Sequence, residues 1–148
     1  NLGDGTFDRV QGQDGLALKK VSRSAAFGDY DNDGDTDIVV TNWNQSPDLL
    51  RNEIGNQNNW VRFRTVGRDS NRSGIGTKIK VVTPGLTQYQ EVRSGGSYLA
   101  ANDLRVHFGL GQAETIQQVE IRWPGGQIDH RQQLPVNREY LLVEGDSQ

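Results

Sequence analysis

The chain has 148 residues, with 16 basic and 19 acidic side chains, 18 glycines, four prolines, no cysteine and no methionine. Leu, Ile, Val and Phe make up about a quarter of it, above the roughly 20 % below which polar chains stay disordered, so one or two modest cores are expected. Lack of cysteine excludes a disulfide scaffold and any thiolate-held metal site. The longest aliphatic runs, Ile38–Val40 and Leu141–Val143, fall far short of the ~20 residues of a membrane-spanning helix. A chain without methionine is expected to be a processed form or a piece of something longer. Net charge is −3, too small to argue for or against nucleic acid, but it is unevenly spread. Residues 1–53 carry ten acids against five bases, and residues 54–148 carry nine against eleven. Two segments with different roles are expected, 1–53 and 54–148.

In chain order, Asn1-Leu2-Gly3-Asp4-Gly5-Thr6-Phe7 is a turn-rich phrase of the kind that closes a hairpin. Ala25–Asp29 leads into an acidic loop, Asp37–Asn42 leads out of it as a strand, and Leu49–Asn52 reads as the next strand. Strict alternation follows in Trp60–Val66, with Val61, Phe63 and Thr65 on one face and Arg62 and Arg64 on the other. The same period of two recurs in Leu104–Phe108 and Val119–Trp123, and further strands are expected at 77–83, 88–94, 126–131 and 139–143. Pro84-Gly85, Gly95-Gly96, Gly109-Leu110-Gly111 and Pro124-Gly125-Gly126 punctuate them. No window of a dozen residues carries a helical apolar stripe free of Gly or Pro. The expected fold class is all-β, with an antiparallel β-sandwich over 58–148.

The acidic loop carries the strongest chemical signal. Asp29-Tyr30-Asp31-Asn32-Asp33-Gly34-Asp35-Thr36-Asp37 places acids at positions 1, 3, 5, 7 and 9 and glycine at 6. Oxygen ligands two residues apart converge on a hard cation when the chain curls around it, glycine permits the sharp turn, and position 7 offers its carbonyl. The side chains of Asp29, Asp31, Asp33 and Asp37 and the carbonyl of Asp35 are therefore assigned to one Ca2+. Calcium is favoured over Mg2+, which keeps its waters. Without a cation such a loop repels itself, at about 1 kcal/mol per pair of charges ~4 Å apart in water and more where partly buried. An EF-hand is excluded, because position 12 is Val40 rather than Glu and the loop runs into a strand.

The phrase Phe27–Val40 resembles the calcium-loop core of FG-GAP/VCBS repeats, the four-stranded blades of β-propellers, and Asn1–Phe7 resembles the end of a preceding repeat. Asn59–Phe63, Ser70–Thr77, Glu91–Leu99, Arg105–Gly111 and Val119–Pro124 resemble, in order, phrases of the ASPIC/UnbV domain, which follows such propellers. The resemblance implies an incomplete propeller-type repeat over 1–53, an ASPIC/UnbV-like sandwich over 54–148, and an extracellular or cell-surface location. A propeller needs about four to eight blades, and a single repeat cannot bury its own faces. Missing strands are expected from a partner protein, from self-association, or from packing of the repeat onto the sandwich.

Other candidates carry less. Ser70–Lys78 lacks the Gly-Lys-Ser/Thr order of a phosphate loop and reads as a glycine-bearing turn. Asn44-Gln45-Ser46 and Asn71-Arg72-Ser73 are glycosylation sequons. His107 lies on the polar face of its strand, and there is no Gly-x-Ser-x-Gly elbow. Arg62, Arg64, Arg68, Arg72, Lys78 and Lys80 form a basic group at outward strand positions and an adjoining loop. Arg62 and Arg64 could contact an acidic glycan or protein, though not nucleic acid, because no aromatics interleave on their face. Tyr30, Trp43 and Trp60 could form a sugar-stacking or protein-contact patch near the loop, but at least Trp60 and Trp123 are expected to pack into the core instead. The expected function is a non-catalytic, calcium-binding module for adhesion, scaffolding or assembly. The alternatives are a carbohydrate-binding module or an accessory domain of a larger secreted enzyme.

Overall fold

The computed structural model describes residues 6–8 and 18–146; the phrase Asn1–Gly5 lies outside the described residues. Ten strands are present, with no α-helix among the described residues and one 3-10 turn at Gly55–Gln57. Among the described residues no helix is long and apolar enough to cross a membrane. The first sheet is a three-stranded antiparallel meander of β1 (Ser22–Gly28), β2 (Asp37–Asn42) and β3 (Gln45–Leu50). A second has the order β10-β4-β7, from β4 (Asn59–Val66), β7 (Val106–Gly111) and β10 (Arg138–Val143). The third, β6-β5-β8-β9, is built from β5 (Lys78–Thr83), β6 (Leu86–Glu91), β8 (Thr115–Arg122) and β9 (Ile128–Pro135).

The second and third sheets face each other across one core. Val61, Phe63, Val106, Phe108 and Leu142 enter it from one side, and Ile79, Val81, Ile116, Val119 and Ile121 from the other. Phe63 meets Phe108 edge-on with centroids 5.9 Å apart. These are the alternate positions the period of two selects. Thr83-Pro84-Gly85-Leu86 closes the β5–β6 hairpin, with proline fixing φ at the second place and Gly85 at +82° at the third.

One pairing departs from the expected antiparallel sandwich: β10 runs parallel to β4, with Arg138 opposite Val61 and Val143 opposite Val66. Asn137 accounts for it. Its N–H donates to Trp60 O at 2.7 Å, its Oδ1 accepts Trp60 N–H at 3.0 Å, and its Nδ2 donates to Asn59 Oδ1 at 2.8 Å. The start of β10 is thereby pinned to the start of β4, and both strands leave in one direction. β3 begins at Gln45, earlier than expected, because Asn44 adopts φ +52° and closes a tight hairpin with Trp43. Pro47 within it is tolerated because β3 is an edge strand.

The loop Gly67–Thr77 is the glycine-bearing turn expected, and its anchor is Glu144. This buried carboxylate accepts the N–H groups of Arg68, Asp69 and Ser70 at 2.7–3.0 Å and the Ser70 hydroxyl at 2.7 Å. Burial pushes the Glu144 pKa upward, but these four donors outweigh it and hold the carboxyl below its ordinary value.

Candidate metal centre at the junction with the sandwich

The acidic loop joins the ends of β1 and β2 and curls back on itself through its own backbone donors. Tyr30 N–H donates to Asp37 Oδ2 at 2.9 Å, Asp33 N–H to Asp31 Oδ1 at 3.3 Å, and Asp35 N–H to Asp33 Oδ1 at 3.2 Å. Asp37 Oδ1 also accepts Asn52 N–H at 2.8 Å, tying the loop to the segment after β3. Asn32 at φ +60° and Gly34 at φ +101° make the turn. The result is that one carboxylate oxygen from each of Asp29, Asp31 and Asp37 lies within 4.8 Å of the others. Asp29 and Asp37 are buried. Asp29 Oδ1 is itself buried and has no hydrogen-bond partner among the described residues, whereas its Oδ2 is shared by Gly34 N–H and Arg62 Nη1.

A buried, unpartnered carboxylate oxygen beside two further carboxylates fits a hard divalent cation, which takes oxygen donors and repays their desolvation. The donor set is all oxygen, as calcium requires. Asp33 does not join the three-carboxylate group, and the Asp35 side chain is buried against Gly55, where a Cβ would lie 2.7 Å from Asp35 Cβ. Asp31 meets Arg51 Nε at 2.7 Å, so this cation shares its charge.

The loop sits on the outer face of the β10-β4-β7 sheet. Gly34 lies directly over the Trp60 indole, where any Cβ would collide with the ring. Position 6 therefore demands glycine for its close approach as well as its positive φ. Trp60 stacks on His107 at 5.9 Å, and His107 Nε2 lies 3.0 Å from Gly34 O. A carbonyl only accepts, so His107 carries its proton on Nε2. Burial lowers the His107 pKa, Arg62 adds to this, and the Gly34 carbonyl opposes it. Arg105 donates to Asn32 Oδ1 at 2.9 Å and to Asp29 O at 3.2 Å, and is itself held by Asp103 Oδ2 at 2.6 Å. Loop 94–103 completes the clamp along the β1 edge. Ser97 Oγ accepts Ala25 N–H at 3.2 Å, Asn102 Oδ1 accepts Phe27 N–H at 3.1 Å, and Asp103 N–H donates to Phe27 O at 3.0 Å.

Arg62 is not at an outward position. Its side chain is 7 % exposed, bound to Asp29 (3 % exposed) and Glu139, with its guanidinium 5.7 Å from the Trp60 centroid. The face opposite the core is covered by the acidic loop, so the alternation that places Arg62 away from the core does not place it in water. Arg64, one row further along, is exposed and has no ion pair among the described residues. The alternative of an aromatic patch is not realised, and Trp123 lies in the core. Tyr30 and Trp43 are both exposed, but they lie beyond opposite ends of β2, a strand ~17 Å long at 3.3 Å per residue, and Trp60 lies beneath the loop. Of the two sequons, Asn71 uses both ends of its amide on Ile75, at 2.7 and 2.9 Å.

The residues missed by sequence reading are Asn32, Ser97, Asn102, Asp103 and Arg105, which join the loop to the sandwich, and Glu144. A signal existed for Arg105 and His107. They share a strand face that pairs with the face of Trp60 and Arg62, and an indole at mid-sheet among arginines marks a covered surface rather than a wet one.

A family model described as ASPIC and UnbV matches residues 67–148. The match begins just after β4, the central strand of its sheet. Cartilage acidic protein 1 of Mus musculus and of Homo sapiens are each 29 % identical to the chain over 133 residues, 87 % of this chain and 20 % of theirs. The protein of the same name from Xenopus tropicalis is 31 % identical over 109 residues, 70 % of this chain and 16 % of its own. The chain thus spans about a fifth of the length of the curated relatives it matches. With more than half of its residues under the family match, the chain belongs to the ASPIC and UnbV family.

Proposed function

We propose that the chain is a non-catalytic extracellular module in which Ca2+, held by Asp29, Asp31 and Asp37, fixes an FG-GAP/VCBS-type repeat (1–53) onto an ASPIC/UnbV sandwich (54–148). The observation that carries this reading is the unpartnered Asp29 Oδ1, buried beside Asp31 and Asp37. The metal supplies positive charge that shuts off the mutual repulsion of these acids. Because Asp29 and Asn32 are also bound by Arg62 and Arg105, ordering the loop orders the junction. Extracellular calcium loops work at Kd values of ~0.1–1 mM, which suits a secreted protein, and the relatives are named for cartilage, a matrix-rich tissue. A non-catalytic role is supported by the engagement of Asp29, Asp37, Asp103 and His107 in loop and docking contacts.

The β1-β2-β3 sheet supports a role in assembly. Val39 and Leu49 are paired across strands and exposed, and Phe27 is exposed too, and among the described residues no strand pairs with the outer edge of β3. Size-exclusion chromatography with light scattering, in millimolar Ca2+ and then in chelator, tests the reading. Calcium-dependent association, or a co-purifying protein lost with the metal, is the expected result. A monomer whose size and melting temperature ignore calcium overturns it.

A further inference from the structure

The outer face of the β6-β5-β8-β9 sheet lies opposite the shared core and makes no contact with the acidic loop in the hydrogen-bond or ion-pair network. Register places Tyr89, Lys80, Glu120 and His130 in one cross-strand row, and Glu91, Lys78, Arg122 and Ile128 in the next. Tyr89 is 70 % exposed, and Lys80 Nζ sits 5.8 Å from its ring centroid.

The two acids in these rows are already neutralised. Glu91 accepts from Arg93 Nη2 at 2.8 Å and Glu120 from Arg122 Nε at 2.6 Å. Lys78 and Lys80 have no carboxylate within ion-pair distance among the described residues. With Arg93 and Arg122 already on the two acids, the face carries an excess of cations, Lys78 and Lys80 standing on one strand ~6.6 Å apart at two residues' rise, with an exposed aromatic beside them. Lys78 and Tyr89 both line two shallow surface clefts of about 490 and 360 Å³. The Gln90 amide is spent on His107 O at 2.6 Å, so the polar groups left for a ligand are the cations and the paired acids.

We infer that this face binds an anionic pyranose chain, with a sugar ring stacked on Tyr89 and its carboxylates or sulfates met by Lys78 and Lys80. Flat, patterned charge alone would suit any polyanion; the exposed aromatic between two clefts selects one with rings whose C–H faces pack on it. Arg93 and Arg122 stay on their acids, so the acids offer acceptors for sugar hydroxyls. This inference does not rest on the calcium reading, because none of these side chains contacts the loop.

Isothermal titration calorimetry of the 148-residue chain tests it, with an oligogalacturonate hexamer, a sulfated oligosaccharide of equal length, a neutral gluco-oligomer and polyglutamate of matched charge. Repeating each titration in chelator separates this site from the metal. Binding of one or both anionic sugars is expected, the better ligand telling carboxylate from sulfate. It should weaken at least about tenfold in Tyr89→Ala, in Lys78→Gln/Lys80→Gln, and in ~0.5 M salt, where screening falls to roughly 4 Å. Tyr89→Phe should retain it, and the neutral oligomer should bind weakly. All these positions are solvent-facing, so the variants keep the fold. No binding of either anionic sugar, equal binding by wild type and the two weakened variants, or equal affinity for polyglutamate would each overturn the inference.

Discussion

Replacing Arg62 by methionine keeps most of its volume and removes its charge. In the wild type the guanidinium joins Asp29 and Glu139, and both Arg62 and Asp29 are almost wholly buried. Removing one partner of a buried pair leaves the other as an uncompensated charge, which costs ~3–5 kcal/mol. Asp29 has a second possible source of compensation, because its free Oδ1 faces Asp31 and Asp37. Bound Ca2+ would neutralise Asp29 in the variant as Arg62 does in the wild type. The loss of stability should therefore approach the full value in chelator and shrink by at least ~1–2 kcal/mol in millimolar Ca2+. By linkage, folded Arg62→Met binds Ca2+ more tightly than wild type, since a repelling cation has gone. Urea unfolding followed by tryptophan fluorescence, in chelator and in Ca2+, measures both. Equal losses in the two conditions, or a loss under about 1 kcal/mol in chelator, would refute the idea that Arg62 and the metal share Asp29.

Gly34→Ala meets both the φ of +101° and the Trp60 ring, so it should cost ~2–4 kcal/mol and weaken calcium binding, read by urea midpoint and calcium titration. Glu144→Gln removes the charge that four donors hold and should cost about 2–3 kcal/mol at pH 7. Because the folded Glu144 pKa is depressed, its contribution is complete above the ordinary value of 4.5 and lost as pH falls through the folded value. The urea midpoint of Glu144→Gln should therefore fall less steeply than that of wild type between about pH 5 and 3; parallel curves would contradict the assignment. Asn137→Ala strips the two side-chain hydrogen bonds from the start of β10, leaving the backbone one to Trp60 O, and should cost ~1–2 kcal/mol at about 1 each, with early amide exchange along β10.

The strands were readable because their buried positions alternate. Val61, Phe63, Ile79, Val81, Val119 and Ile121 all reach the core as the period of two demands. The acidic loop was readable because oxygen donors at every second residue around a glycine have few other uses. What alternation cannot report is what covers the face turned from the core. Arg62 is buried by a loop some thirty residues earlier in sequence, and no local pattern encodes that contact. The parallel entry of β10 was equally hidden, because it depends on one asparagine reaching back to β4. Glu144, following an apolar strand at the end of the sandwich, looks like any solvated acid until the loop that surrounds it is placed. Tyr30 and Trp43 are close in sequence to the loop, yet β2 carries Trp43 to its far end.

In the proposed reading the Asp29–Asp37 loop holds one Ca2+. Calorimetric titration of Ca2+ into chelator-treated protein tests it most directly, with Asp37→Asn and Asp29→Asn alongside. One site per chain with Kd of ~0.1–1 mM, lost in both variants, is the expected result, together with a calcium-dependent rise in melting temperature in wild type. Absence of a binding heat in wild type, or a site that survives both substitutions, would contradict it.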